Sequence, residues 1–125
     1  MDRATLIAQL AVLKSTYANT GESIDKLISH FQAALDNREV VYIEEEGEVV
    51  AFCDFSWIHS PEDIEKVSRG ERTEGTILHV INLVCRKPGL IWKIRKMLPF
   101  HVHISGERRG KLHTPKGIPD LAEVY

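Results

Sequence analysis

VCRKPGLIWKIRKML (84–98) decides how this chain folds. Its first residues close an apolar run, and two cations and a Pro-Gly follow. Ile91, Ile94, Met97 and Leu98 then recur at helical spacing, with Lys93, Arg95 and Lys96 turned outward. A strand, a tight turn and an amphipathic helix begin a β-α-β crossover, which joins parallel strands in a right-handed sense. The strand before it, TILHVINLVC (76–85), is apolar on both faces, as a central strand covered twice would be. Downstream, FHVHISGERRGKLHTPKG (100–117) predicts two short strands about an RRG turn, the first of them, 100–105, parallel to 76–85.

Working back towards the N-terminus, VVYIEE and EVVAFCDFSWI are rich in β-branched and aromatic residues and flank a turn at Gly47. They predict an antiparallel hairpin over 40–58. In its second strand the odd positions Val49, Ala51, Cys53, Phe55 and Trp57 form one core face. The even face starts apolar at Val50 and Phe52, then turns polar and wet at Asp54 and Ser56. Ahead of the hairpin lie two amphipathic helices. The first carries Leu6, Leu10, Leu13 and Tyr17, with Asp2 as its cap; the second runs from about Ser23 with Ile24, Leu27, Ile28, Phe31, Ala34 and Leu35 on one side. A short helix begins near Ser60-Pro61 and ends at Val67. The sum is an α+β fold: a mixed, mostly antiparallel sheet with helices on both faces.

With 125 residues the chain is one domain, 1–125, with room for a real core. Its 43% hydrophobic and 27% charged residues are those of an ordinary globular protein, and a net charge of -2 offers nucleic acid no overall attraction. The charge is uneven: Glu44, Glu45, Glu46 and Glu48 form an acidic knot, and 86–116 carries most of the cations. Gln9 and Lys14 interrupt the first apolar stretch, so it does not read as a signal peptide. No run approaches the roughly 18 apolar residues of a membrane span. Cys53 and Cys85 sit in separate strand-like runs and read as buried free thiols, which makes the cytoplasm the expected compartment.

In order of elements this pattern resembles the GCN5-related N-acyltransferases, and the resemblance covers most of the chain. In that family the turn after the central strand reads Gln/Arg-x-x-Gly-x-Gly/Ala; here Arg86-Lys87-Pro88-Gly89-Leu90-Ile91 matches the Arg and the first Gly and departs at Ile91. The resemblance implies a compact acyl-CoA N-acyltransferase-like fold that binds acetyl-CoA or another acyl-CoA. Val84, Cys85, Arg86, Lys87, Gly89, Leu90 and Ile91 would line the pyrophosphate, because backbone amides at a helix start favour an anion. The acyl group would pass to an amine-bearing small molecule or protein. The alternative is a non-enzymatic protein-binding module of the same fold, in which Arg86 and Lys87 are solvated cations and Pro88-Gly89 only a turn. A homodimer stays open.

Transfer needs a base for the amine. His79 and Asn82 on 76–85, and Asp54 and Ser56 on the hairpin, are the polar residues on the central strands; His79 and Asp54 are the catalytic candidates. His101, His103 and His113 alternate on short strands, but lack a supporting Cys or carboxylate, so a polar strand face explains them better than zinc. Nucleic acid is not the expected partner of the basic turn 107–111, which has no aromatic stacking residues.

Overall fold

The computed structural model describes residues 1–18, 21–98 and 112–113. In chain order the elements are α1 (Arg3–Tyr17), α2 (Ile24–Asp36), β1 (Val40–Glu45), β2 (Glu48–Ile58), α3 (Asp63–Ser68), β3 (Ile77–Cys85), α4 (Leu90–Met97) and β4 (Leu112–His113). Their sheet order is β1-β2-β3-β4. The first three strands pair antiparallel, and β4 lies parallel to β3, Leu112 beside Leu78 and His113 beside His79. The fold is α+β, as the periodicities predict. The expected strand 100–105 lies outside the described residues, as do His101 and His103.

Local chemistry sets the elements. The Asp2 carboxylate accepts from the Thr5 amide (2.7 Å) to start α1, and the Ser23 hydroxyl accepts from the Lys26 amide (3.2 Å) to start α2. At the end of α2 Arg38 takes a left-handed conformation (φ 57°), which lets the Glu39 amide reach the Ala34 carbonyl (2.8 Å). Glu46 (φ 52°) and Gly47 (φ 80°) form a two-residue turn with both central residues left-handed, the geometry that matches strand twist in a hairpin.

Two cores lie on opposite faces of the sheet. On one, Leu6, Leu10 and Leu13 of α1 and Leu27 and Phe31 of α2 pack on Val49, Phe52 and Val84. On the other, Leu90 and Ile94 of α4, with Leu98 just beyond it, pack on Ala51, Cys53, Phe55, Leu78 and Val80. The simple alternation of β2 is corrected here. A bulge at Val50, between the pairs Ile43–Ala51 and Glu44–Val49, carries Val49 over to the α1 face. The even face does not become wet at Asp54 either, since that residue has no exposed surface. Phe55 is buried as expected, whereas Trp57 is only half-buried, edge-on to Phe55 at 6.0 Å. Met97, expected inward, is exposed, because the arc of α4 facing the sheet is filled by Leu90, Ile94 and Leu98. Cys53 and Cys85 are free thiols.

One backbone position at the β2–β3 end tolerates only glycine. Gly75 has φ 152°, and a Cβ there would stand 1.9 Å from the Ile58 carbonyl oxygen. Gly75→Ala should therefore push the β2–β3 end apart, costing about 1–3 kcal/mol in strain. Urea unfolding measures the cost, and amide exchange at Ile58 and Ile77 should speed up with it.

Candidate functional site

Asp54 is the polar centre of the molecule. It sits in mid-β2 opposite Asn82 of β3, and the Asn82 Nδ2 donates to its Oδ1 at 2.8 Å. Its Oδ2 lies 2.5 Å from Nε2 of His30 on α2. The sheet geometry behind this is a second bulge. Between the pairs Asp54–Asn82 and Phe55–Val80 the extra residue Ile81 sits in β3. Residues 79 and 82 are three apart and would face opposite sides of a regular strand; the inserted residue turns both towards α2. His79, paired with Ser56 and nearly buried, and Asn82 then line one recess with His30.

That recess, about 760 Å³, lies between α2, α3 and β3. A smaller one of about 120 Å³ opens on the other side of His30 and Asp54, where Glu39 and Arg72 join the lining. Glu39 Oε2 accepts from the Trp57 amide (3.4 Å) and its Oε1 stands 3.6 Å from the Arg72 guanidinium. Burial raises the Glu39 carboxyl above its ordinary pKa, against the pull of the Trp57 amide and the Arg72 charge.

The sequence named Asp54, His79 and Asn82; it missed His30. The signal was present. His30 follows Leu27 by three and precedes Ala34 by four, so it flanks the apolar stripe that α2 lays on the sheet. Phe31 holds it edge-on at 5.1 Å. Burial works against a charged imidazole at this position, but the hydrogen bond and charge of Asp54 outweigh it, with help from Glu22, and raise the His30 pKa above its usual value. With Nε2 held by Asp54, Nδ1 is the nitrogen presented to a ligand. An imidazole oriented in this way by a buried carboxylate is a strengthened base.

A raised histidine pKa has a stability consequence of definite sign. The contribution of the pair is fully present below the unfolded value of about 6.5 and is lost as pH rises through the higher folded value. Wild type minus His30→Gln, compared by urea unfolding, should thus show a larger difference at pH 6 than at pH 9. Equal differences would mean that Asp54 does not favour the charged ring.

The turn after β3 is built differently from an open anion cradle. The Leu90 and Ile91 amides donate to the Lys87 and Pro88 carbonyls (3.2 and 3.3 Å), and the Arg86 amide donates to the Val50 carbonyl (3.0 Å). Gly89 is right-handed at φ -64°, and a Cβ there would meet nothing, so the position does not demand glycine. Val84 and Leu90 are core residues on opposite faces, and Cys85 and Ile91 are half-buried against the α4 core. The two cations meet the acidic hairpin tip: Arg86 bonds Glu48 at 3.1 Å, and Lys87 lies 3.6 Å from Glu45. Both are surface pairs, worth little individually.

Burial pushes the Cys53 thiol well above its ordinary pKa, which removes it as a thiolate nucleophile. Among the described residues no group of three or more His, Cys, Asp or Glu is placed to hold a metal ion, and no helix is long and apolar enough to cross a membrane. Neither a family model nor a curated protein matches the chain.

Proposed function

We propose that the protein is an N-acyltransferase acting on a small amine, with His30 as the base and Asp54 as its positioning partner. The observation that carries this reading is the buried Asp54, fixed by Asn82 and joined to His30 at the mouth of a ligand-sized recess. The amine nitrogen attacks the thioester carbonyl of an acyl-CoA and the C–S bond breaks. The proton lost by the amine goes to Nδ1 of His30, and the thiolate leaves and is protonated from solvent. His79, on the recess floor, is a second polar contact for the substrate.

Mass spectrometry of products from acetyl-CoA and a panel of small amines tests the reading. Wild type should acetylate at least one amine, and His30→Gln should lower the rate by about 10²–10⁴-fold, the usual worth of a positioned base. Absence of product throughout the panel would overturn it.

A second reading, a binding module without a coenzyme, is favoured by the turn itself. The Leu90 and Ile91 amides are engaged, and Arg86 and Lys87 face Glu48 and Glu45. If coenzyme A binds at Val84–Ile91, it must compete with that hairpin tip. Glu48→Gln should then tighten coenzyme A binding by about two- to fivefold by releasing Arg86, and Arg86→Ala should weaken it. Calorimetry decides this. No heat and no thermal shift with millimolar coenzyme A, in wild type and in Glu48→Gln alike, would favour the module.

A further inference from the structure

The segment 59–76, which carries α3, forms a wall of both recesses. Ile64 and Arg69 line the larger one, Arg72 and Thr73 the smaller, and Val67 and Gly70 line both, as His30 does. The recesses therefore adjoin at His30 and are walled there by one stretch of chain. No residue of that stretch is buried. Its ends are held side by side by the Ile58–Ile77 pair. Its bonds are largely local: the His59 amide donates to Asp63 (2.8 Å), the Ser68 hydroxyl to the Glu65 carbonyl (2.7 Å) and the Glu71 amide to the Lys66 carbonyl (2.9 Å). The Thr73 hydroxyl ties it to the sheet by donating to the Trp57 carbonyl (2.7 Å), and the Arg72 guanidinium stands 3.6 Å from Glu39.

We infer that 59–76 is a lid over His30, which lifts off by local unfolding of α3 while the sheet stays folded. The fully enclosed side chains, Leu10, Phe31, Phe52 and Phe55 among them, lie in the two cores, whereas the lid contributes the half-buried Ile64 and Val67. Opening the lid therefore costs far less than unfolding the domain. A helix of six residues has no stability of its own in water, so α3 melts once it leaves the sheet. Because Val67 and Gly70 wall both recesses, a single opening uncovers His30 on both sides and admits two reactants at once. The lid serves any ligand of the site, so it does not depend on acyl transfer.

The test is native-state hydrogen exchange of the whole chain as wild type, Ile94→Val and Thr73→Val. In wild type the Arg69, Gly70 and Glu71 amides, bonded within the lid, should exchange at least about 100-fold faster, relative to their intrinsic rates, than the ladder amides of β2 and β3. Ile94→Val trims the core on the opposite face of the sheet from α2. It should speed the ladder amides by about 2- to 10-fold and leave the lid amides unchanged. Thr73→Val keeps the side-chain shape and removes the tie to Trp57, so it should speed lid and ladder amides alike by about 2- to 10-fold. Carbethoxylation of His30 by diethyl pyrocarbonate, located by peptide mass mapping, should accelerate by the same factor in Thr73→Val and stay constant in Ile94→Val. Lid amides as slow as the ladder, or accelerated by Ile94→Val, would mean that the segment opens only when the whole protein unfolds, which overturns the inference. Modification of His30 that ignores Thr73→Val overturns it as well, since the segment then opens without guarding the site.

Discussion

Phe52→Ala should destabilise the protein by about 3–5 kcal/mol, the usual cost of deleting a fully enclosed phenyl ring. Phe52 has no exposed surface and meets Phe31 edge-on, with ring centroids 5.2 Å apart and an interplanar angle of 89°. Phe31 in turn abuts His30. The loss has two parts, the transfer energy of the ring and the cavity that α1 and α2 fill only incompletely. Against a total stability of about 5–15 kcal/mol for a domain of this kind, one such change takes a large share. It also loosens the wall that seats the base, so any residual activity should fall by more than the unfolded fraction explains. Urea unfolding reads the first effect, and rates corrected for folded protein read the second. Val12→Ala, at an exposed position of α1, should stay within about 0.5 kcal/mol and controls for helix propensity.

Asp54→Ala should cost about 2–4 kcal/mol, and the smaller figure for Asp54→Asn, about 1–2 kcal/mol, separates charge from shape. Removing one partner of a fully buried ion pair commonly costs 3–5 kcal/mol, because the other is left charged and enclosed. Here the remaining partner is His30, about a third of whose side chain (34%) is exposed. It relieves the strain by giving up its proton, so the cost falls below that range. What remains is the lost charge-assisted bond and an Asn82 amide without its acceptor. Both variants should also lower the His30 pKa and weaken it as a base. Chemical denaturation at pH 6 gives the free energies; a cost for Asp54→Ala under about 1 kcal/mol would mean that the pair is solvated and the site open.

The order of elements was legible because each has a strong period. Leu27, Phe31 and Ala34 mark the inner face of α2, and Leu78, Val80 and Val84 the double-sided burial of β3. The site was not legible to the same degree. Alternation assigns Asp54 to a wet face, yet α2 covers it, and covering is a tertiary fact that no local pattern carries. The bulges at Val50 and Ile81 change faces without any distinctive residue, since both are ordinary β-branched side chains in apolar runs. The basic turn misled for a related reason. Antiparallel pairing of Ala51 with Cys85 brings the hairpin tip beside Arg86 and Lys87, so acids 38 to 42 residues away in sequence neutralise them.

The pair at the centre of this account is tested most directly by NMR titration of the His30 ring in wild type and Asp54→Asn. Wild type should titrate above about pH 6.5, and the variant, with burial unopposed by a carboxylate, should fall below it. Identical midpoints in the two proteins, or a wild-type value below that of a free histidine, would contradict the assignment of His30 as a base set by Asp54.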